Sequence, residues 1–253
     1  MELNLRGKIA IVTGGSRGLG SAVCARLACE GVDLILTYAF SRGKAEALAR
    51  ELSAEFGIHA EAFCVDVSVE EDVRALFAFA YERFGAIDVL INNAGICPVA
   101  KIQDTTFETW NRVMAVNMGG VFLCCREMIR LAVAKEAAAT IVNIASASAY
   151  LGSRNGKTHY AASKGGVISF TTSLAKEVAC HQIRVNAFAP AIMYTDMTSE
   201  LLDRDLSHYE KQIPIGRIAT LEEAADAILF LASDVSSYMT GSVLDFSGGQ
   251  VGR

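Results

Sequence analysis

Seven short runs of apolar and β-branched residues recur along the chain, separated by longer and more polar segments. The runs are apolar almost throughout instead of alternating with polar residues, which is typical of strands buried on both faces of a parallel sheet. Most of the intervening segments are long enough for a helix that crosses over to the next parallel strand. The seven runs lie at residues 8–13, 32–38, 59–65, 87–91, 140–145, 183–188 and 242–246.

The segments between these runs carry the start and stop signals of helices. Gly31, Gly57 and Gly85 each follow such a segment, and glycine adopts the left-handed conformation after a last helical turn with least strain. Ser68-Val-Glu-Glu71 and Thr220-Leu-Glu-Glu223 match the capping box that begins a helix. We expect helices at residues 21–30, 41–56, 68–84, 106–118 and 221–233.

Strands and helices alternate seven times with short connections, and no linker rich in Pro, Gly or Ser interrupts them. This order predicts the α/β class: a Rossmann-type, doubly wound parallel sheet of about seven strands with helices on both faces. We expect a single domain over residues 1–253, a length that such folds often reach undivided. The one long irregular stretch is 189–215. We interpret 196–212 as a substrate lid, the alternative being a surface insertion without function.

Composition restricts the class of protein and its partners. The net charge of −5 argues against a nucleic-acid partner, because phosphate binding needs clustered Lys and Arg. No apolar run is long enough to span a bilayer, and the N-terminus lacks the pattern of a signal peptide. We therefore expect a cytoplasmic protein without a membrane partner. The seven cysteines contain no CxxC pair, so we expect buried, reduced thiols and no metal site.

A glycine-rich turn, Thr13-Gly-Gly-Ser-Arg-Gly-Leu-Gly20, joins the first predicted strand to the first helix. Glycines at this point let the backbone approach a pyrophosphate closely, and the helix start supplies free N–H groups. The spacing is G-x-x-x-G-x-G and departs from the better-known G-x-G-x-x-G. Its position between a strand and a helix, first in a βαβ unit, is nevertheless typical of dinucleotide binding.

The end of the second strand indicates which dinucleotide binds. An acidic residue there would hydrogen-bond a ribose 2′-hydroxyl and repel a 2′-phosphate, but Leu36-Thr-Tyr-Ala-Phe-Ser-Arg42 contains none. Arg17 in the glycine turn, together with Ser41 and Arg42 after the strand, offers two cations and a hydroxyl to a 2′-phosphate. We therefore predict NADP(H). The alternative is that Arg42 only solvates the start of the second helix and Arg17 acts alone.

Tyr160 and Lys164 are four residues apart in an expected helix and therefore share one face. A nearby ammonium favours the phenolate form of a tyrosine and brings it closer to acid–base chemistry at neutral pH. Ser146 follows the fifth predicted strand, at the carboxyl edge where open α/β sheets bind ligands. His159 is adjacent to Tyr160 and faces another direction, so we expect it at the surface or the rim of the pocket.

With these motifs the sequence resembles the short-chain dehydrogenase/reductase family, and within it enzymes similar to 3-oxoacyl-(acyl-carrier-protein) reductase. The resemblance covers essentially the whole chain, and its motifs are specific when taken together. They are Thr13-Gly-x-x-x-Gly-x-Gly20, Asp66-Val67, Asn92-Asn-Ala-Gly95, Asn117, Ser146, Tyr160-x-x-x-Lys164 and Pro190 with Thr195.

The resemblance implies an NADPH-dependent oxidoreductase that reduces a carbonyl, in a 3-oxoacyl thioester or a similar ketone, to a secondary alcohol. Tyr160 would donate the proton, and Ser146 would hydrogen-bond the substrate oxygen. Lys164 would hold the nicotinamide ribose and lower the pKa of the tyrosine, while Asn117 would brace a helix and a proton-relaying water. Family members commonly form homotetramers or dimers, which we expect here as well.

The predicted cofactor-binding set combines the glycine turn, the residues after the second strand and the positions that the resemblance implies. Asp66 and Val67 would contact the adenine, and the segment from Pro190 to Thr195 would meet the carboxamide and the pyrophosphate. The full set is Gly14, Ser16, Arg17, Gly18, Leu19, Gly20, Ser41, Arg42, Asp66, Val67, Asn93, Ala94, Gly95, Tyr160, Lys164, Pro190, Met193 and Thr195.

The chain departs from the family pattern at several positions. Ser146 precedes Tyr160 by fourteen positions where thirteen is commoner, so Ser148 is an alternative for the serine role. Ala191 replaces the usual glycine, and Phe40 stands where close relatives often carry arginine, which leaves the phosphate contact to the other cations.

Three other functions stay open. They are an NAD(P)-dependent alcohol or sugar dehydrogenase of the same family, a non-catalytic dinucleotide sensor, and an enoyl reductase. The four-residue Tyr–Lys spacing counts against the last, because related enoyl reductases stretch it. The substrate is not indicated: Arg154, Lys157 and Arg130 could meet an acidic carrier protein, or could be ordinary solvated charges.

Overall fold

A parallel sheet of seven strands forms the centre of the computed structural model, which describes residues 2–252. The strands are β1 (Ile9–Val12), β2 (Asp33–Tyr38), β3 (Ala60–Cys64), β4 (Val89–Asn92), β5 (Ala139–Ile144), β6 (Ile183–Pro190) and β7 (Val243–Phe246). They lie in the order β3-β2-β1-β4-β5-β6-β7, and each neighbouring pair is parallel. The predicted doubly wound sheet is confirmed.

Helices cover both faces of this sheet. They are α1 (Gly18–Cys29), α2 (Arg42–Phe56), α3 (Glu70–Phe84), α4 (Phe107–Met114), α5 (Gly120–Ala134), α6 (Ser148–Leu151), α7 (Thr158–Val178), α8 (Ser199–Glu210) and α9 (Leu221–Ala232). One apolar core lies between the sheet and α1, α2 and α9. The other lies between the sheet and α3, α5 and α7.

Alternate residues of one strand belong to opposite cores, as the pleat of a strand requires. In β1, Ala10 and Val12 pack into the first core, and Ile11 packs into the second. All three are completely buried, which explains why the predicted strands are apolar at nearly every position. The seven predicted runs agree with the observed strands to within two residues at either end.

The expected helix over 106–118 is divided in two. Thr106 caps α4 by accepting a hydrogen bond from the backbone N–H of Thr109, and α4 ends at Met114. A π-helical turn, Ala115–Gly119, then leads directly into α5. Such turns shift the register of the following helix and occur frequently at functional sites. This one contains Asn117, one of the predicted catalytic residues.

One of the two predicted capping boxes is confirmed and the other is wrong. Thr220 accepts from the Glu223 N–H at 3.1 Å, and the Glu223 carboxylate accepts from the Thr220 N–H at 2.9 Å. Ser68 does not cap α3, which begins at Glu70. Its hydroxyl donates instead to Asp66 Oδ1 at 2.6 Å and accepts from the Arg112 guanidinium at 2.6 Å, and this charged donor replaces the N–H of a helix start.

The stretch predicted as irregular contains β6 up to Pro190 and then α8, which departs from helical geometry at Asp205. Leu202 is buried and anchors α8 to the rest of the protein. No helix within residues 2–252 is both long and apolar enough to cross a membrane.

Removing the Thr220 cap should destabilise the protein. We expect Thr220→Ala to lower the free energy of unfolding by about 1 kcal/mol, the usual loss for a side-chain cap, in denaturant titrations followed by circular dichroism. Ser41 occupies the same position before α2 but makes no capping bond, so Ser41→Ala is the matched control and should change stability much less. Equal losses in the two variants would contradict this account of the cap.

Candidate active site

The sheet creates a crevice between β1 and β4. The chain leaves β1 towards β2 on one side, and β4 continues the sheet on the other side, so the loops after the two strands diverge. A cleft of about 1900 Å³ runs along this carboxyl edge. It is lined by the loops that follow β1, β2, β4, β5 and β6, which is the place predicted for the site.

The turn after β1 requires glycine at three positions. Gly14 has a φ of +64°, and Gly18 has a φ of +55°, both in the left-handed region. A Cβ on Gly20 would lie 2.2 Å from the carbonyl oxygen of Gly14, so only glycine permits the first turn of α1 to fold so closely over the end of β1. All three glycines line the cleft, and a backbone without side chains at these points fits the close approach of a pyrophosphate.

The loop after β4 is fastened to this turn by Thr13 and Asn93. The hydroxyl of Thr13 accepts from the N–H groups of Asn93 and Ala94 at 2.9 and 3.0 Å. The Asn93 amide donates to the carbonyl oxygens of Thr13 and Gly14, both at 3.0 Å. The two walls of the crevice therefore have a fixed separation.

The cleft brings together the predicted cofactor-binding residues except Arg42. Arg42 does not line it, and its guanidinium donates to Glu46 at 2.7 Å. Arg17 lines the cleft and forms an ion pair with Asp196 at 3.2 Å. The lining residues from the predicted set are Gly14, Ser16, Arg17, Gly18, Leu19, Gly20, Ser41, Asp66, Val67, Asn93, Ala94, Gly95, Tyr160, Lys164, Pro190, Met193 and Thr195.

Ser146 and Tyr160 meet in the cleft next to the end of β5. The Ser146 hydroxyl acts on the phenol of Tyr160 and opposes the rise in its pKa that burial causes. Ser148 also lines the cleft, and its backbone N–H donates to Ser146 Oγ at 3.1 Å. Of the two serines, Ser146 is therefore the one whose hydroxyl acts on the phenol, and the Ser148 N–H holds that hydroxyl in place.

Burial moves the pKa values of Tyr160 and Lys164 in opposite directions. Withdrawal from water raises the pKa of Tyr160, and the nearby Ser146 hydroxyl offsets this only in part. Burial lowers the pKa of Lys164 to about 8. Lys164 is not among the causes of the Tyr160 shift, so the lowering that the resemblance implies stays a prediction. Tyr160 is a neutral phenol at pH 7 and carries a proton.

Lys164 and Asn117 hold the strands and the helix of the site in place. Lys164 Nζ donates to the carbonyl oxygen of Ile144 at 2.6 Å. The fully buried Asn117 amide accepts from the N–H of Ile96 at 2.8 Å and donates to the Ile96 carbonyl at 3.0 Å and to Ser163 Oγ at 3.1 Å. The π-helical turn therefore joins the loop after β4 to α7.

Arg112 is a site residue that no sequence motif indicated. Its guanidinium donates to Asp66 at 2.8 Å and to Ser68 at 2.6 Å, and it lines the cleft beside Asp66. Burial opposes the ionisation of Asp66, yet the hydrogen bonds from Ser68 and Arg112 outweigh it and lower the pKa of this carboxyl. Asp66 is thus a fixed carboxylate at the end of β3.

Comparisons with known proteins identify the family of this chain. A family model described as Enoyl-(Acyl carrier protein) reductase matches residues 14–250. The chain belongs to the short-chain dehydrogenase/reductase family. It is 38% identical over 249 residues to 3-oxoacyl-(acyl-carrier-protein) reductase FabG from Aquifex aeolicus, covering 98% of this chain and 99% of the relative. The reductase FabG from Escherichia coli is 36% identical over 247 residues, with 98% of each chain covered.

A solved structure of the same family has the same fold. The crystal structure of a short-chain type dehydrogenase/reductase from Mycobacterium marinum superposes with a TM-score of 0.94 at 33% identity, covering 100% of this chain and 98% of the other. This short-chain dehydrogenase/reductase is therefore an oxidoreductase, and its family uses a nicotinamide dinucleotide.

Two sequence predictions about this oxidoreductase are wrong. His159 is completely buried, and neither ring nitrogen has a hydrogen-bond partner among the described residues. α7, the helix that carries His159, is packed against α4, α6 and β6. The cysteines are all free, but Cys29, Cys64 and Cys180 are exposed, and only Cys24, Cys124 and Cys125 are buried.

Replacing Lys164 with Met should stabilise the fold at neutral pH. Burial lowers the Lys164 pKa from 10.5 to about 8, so the ammonium costs the folded state roughly 3 kcal/mol relative to the unfolded chain. Between pH 8 and about pH 10.5 the unfolded chain keeps the proton that the folded chain releases, so wild-type stability rises with pH. We expect the variant to have a higher Tm at pH 7, with the difference shrinking above pH 8.

Thermal unfolding followed by circular dichroism from pH 6.5 to 10 measures this effect. Lys176 is exposed on the same helix, so Lys176→Met is the matched control, and its Tm should stay close to that of the wild type. A lower Tm for Lys164→Met at pH 7 would mean that the hydrogen bond to Ile144 outweighs the cost of burying the charge.

Proposed function

We propose that the protein is an NADPH-dependent carbonyl reductase that converts the ketone of a 3-oxoacyl thioester, or of a similar compound, to a secondary alcohol. One arrangement carries the proposal: Ser146, Tyr160 and Lys164 line the same cleft as the glycine turn, and the Ser146 hydroxyl acts on the Tyr160 phenol. The substrate class is supported by the relatives from Aquifex aeolicus and Escherichia coli, which are named 3-oxoacyl reductases.

The residues around the cleft fit a nicotinamide dinucleotide, because Gly14, Gly18 and Gly20 line it without side chains and let a pyrophosphate approach the backbone. When bound, this cofactor supplies the hydride. Asp66 and Val67 would hold the adenine, and Lys164 would hold the nicotinamide ribose. The floor and the far wall would be formed by Asn93, Ala94, Gly95, Pro190, Met193 and Thr195.

The protein's own contribution is to hold and move one proton. Tyr160 is protonated at neutral pH, so its hydroxyl can give a proton to the carbonyl oxygen as negative charge develops there. Ser146 donates a hydrogen bond to the same oxygen, as in an oxyanion hole. Lys164 would return a proton to the tyrosine, and Asn117 would brace the water that relays protons to Lys164.

Removing the Tyr160 hydroxyl should stop turnover without preventing cofactor binding. We expect Tyr160→Phe to lower kcat for acetoacetyl thioester reduction at least about 100-fold, since general acid catalysis contributes on that scale. NADPH absorbance measures turnover, and NADPH fluorescence measures binding. Ser146→Ala should also lose most activity, whereas Ser148→Ala, its matched control, should keep more. Substantial activity in Tyr160→Phe would exclude the proposed acid.

Enoyl reduction is a second candidate, because the matching family model carries that description. The four-residue spacing between Tyr160 and Lys164 counts against it, since related enoyl reductases have a longer spacing. Crotonyl and acetoacetyl thioesters, offered in parallel to the wild-type enzyme, distinguish the two reactions. Faster NADPH consumption with the crotonyl thioester would favour the second candidate.

NADP(H) is preferred in this proposal because the end of β2 lacks a carboxylate and Arg17 lines the cleft. Arg42 contributes less, since it is paired with Glu46 and lies outside the cleft lining. We expect Arg17→Gln to raise the KM for NADPH about tenfold, which is about 1.4 kcal/mol, with little change for NADH. Arg42→Gln is the matched control and should have a smaller effect. A wild-type preference for NADH would contradict the assignment.

The remaining expectations belong to the same proposal. We place the enzyme in the cytoplasm as a single-domain homotetramer or dimer, without a nucleic-acid or membrane partner. Phe107 on α4 and Phe122 on α5 are 78% and 44% exposed, which supports contact with another subunit. The segment 196–212 would act as the substrate lid, since His208, Tyr209, Lys211 and Gln212 line the cleft.

A further inference from the structure

The lining of the cleft carries an excess of positive charge, although the chain as a whole has a net charge of −5. Arg154, Lys157 and Lys211 are among its cations. None of the three forms an ion pair within residues 2–252. Most other arginines of the protein are paired with a carboxylate. Arg154, Lys157 and Lys211 instead line the cleft without a carboxylate partner among the described residues.

The carboxylates that line the cleft do not neutralise this charge. Within the described chain they are Asp66, Glu108 and Asp196. Asp66 is already paired with Arg112, and Asp196 is paired with Arg17. Glu108 lies on α4, next to the residues that border Asp66. The acidic residues of α8 do not line the cleft at all, although Lys211 directly follows this helix.

The loop that carries Arg154 has a defined conformation. Gly152 and Gly156 have φ values of +67° and +70° and bracket the segment between them. The carbonyl oxygen of Gly156 accepts from the N–H of Ala100 at 2.9 Å, and that of Arg154 accepts from Lys101 Nζ at 2.7 Å. A Cβ on Gly156 would lie 2.7 Å from the Ala100 backbone. The loop is therefore held against the segment after β4, with Arg154 on the cleft.

Lys157 lies three residues before Tyr160 and lines the same cleft. Its charge acts on the thiol of Cys97, which also senses the charge of Lys164, and Cys97 in turn lies near Tyr160. Lys157 is also the N-cap residue of α7. The first turn of this helix contains no acidic residue, so the partial positive charge of its free N–H groups is not compensated by a carboxylate. A negative group bound here would lie near the carbonyl that Tyr160 protonates.

We propose that Arg154, Lys157 and Lys211 bind an anionic group of the substrate, a phosphate or a carboxylate, so that the enzyme prefers charged ketones to neutral ones. This inference rests on the reductase function proposed above and names the substrate class of the same site. The guanidinium of Arg154 matches the oxygens of either anion, and unpaired cations in a cleft attract a charged ligand. The anion belongs either to the phosphate-bearing arm of a thioester or to a small keto acid.

Two pairs of ketones separate charge from reactivity. Acetoacetyl-coenzyme A carries phosphates, and acetoacetyl-N-acetylcysteamine is a neutral thioester with the same ketone. Acetoacetate carries a carboxylate, and ethyl acetoacetate is its neutral ester. We expect the charged member of one pair to have a kcat/KM at least about tenfold higher at low salt, mainly through a lower KM. The difference should shrink in 0.5 M NaCl because salt screens exposed charges (about 4 Å Debye length at that concentration).

Variants then connect this preference to the cations. We expect the double variant Arg154→Gln/Lys157→Gln to lower the ratio of kcat/KM between the charged and the neutral member about tenfold, by raising the KM of the charged one. Lys211→Gln should lower the ratio less. Arg204 lies on α8, is paired with Glu200 and does not line the cleft, so Arg204→Gln is the matched control and should leave the ratio unchanged.

The outcomes distinguish this inference from the proposed function. A preference for acetoacetyl-coenzyme A supports a phosphate-bearing arm as the source of the anion, and a preference for acetoacetate supports a small keto acid. A ratio that stays the same in the double variant overturns the anion site, while reduction of the neutral thioester keeps the reductase function. Failure to reduce any of the four ketones overturns both. An effect seen only with a ketone on an acyl-carrier protein assigns the cations to a protein partner and overturns the anion site.

Discussion

A buried amide, that of Asn143, connects the three elements that carry the active site. Its oxygen accepts from Asn92 Nδ2 at 2.8 Å, and its nitrogen donates to Thr171 Oγ1 at 2.9 Å, so β5 is joined to β4 on one side and to α7 on the other. An amide buried without partners costs about 1–3 kcal/mol for each lost bond. The helix therefore has little freedom to rotate about its axis. Tyr160, Lys164 and Thr171 are spaced by four and seven residues and therefore lie on one face of α7. The helix orientation that lets Thr171 accept the hydrogen bond from Asn143 also turns the phenol of Tyr160 and the ammonium of Lys164 towards the cleft.

Burial on that face sets the protonation states on which the chemistry depends. It raises the pKa of Tyr160 and lowers that of Lys164 to about 8, because a low-dielectric site disfavours the charged form of each group. Burial also raises the pKa of Cys97, so the thiol beside them stays neutral. At pH 7 the site therefore holds a protonated phenol, a thiol and one ammonium whose cost the fold must offset elsewhere. This combination suits donation of a proton to an oxygen that becomes negative.

The strands and the composition of the site could be predicted because both depend on local sequence. Buried strands are apolar over four to eight residues, and the motifs after them meet at one edge whenever the sheet is parallel. The partners of individual polar side chains could not be predicted, because each side chain has several possible partners near and far in the chain. Ser68 has the pattern of a helix cap, but it bonds to Asp66, and Arg112 completes the cluster from α4. Arg42 was expected to contact a cofactor phosphate. Its guanidinium is instead paired with Glu46, which lies one turn further along the same helix.

The groups that line the cleft differ in how far short sequence motifs determine their positions. Ser146 follows β5 and Tyr160 lies on α7, so the thirteen residues between them must span a gap that the packing of both elements fixes. Gly152 and Gly156 are left-handed bends in this connection, and Arg154 is the residue midway between them. The groups around Tyr160 therefore follow from short motifs. The cations of the cleft come from two segments without such motifs, the loop that carries Arg154 and Lys157 and the residue after α8, Lys211.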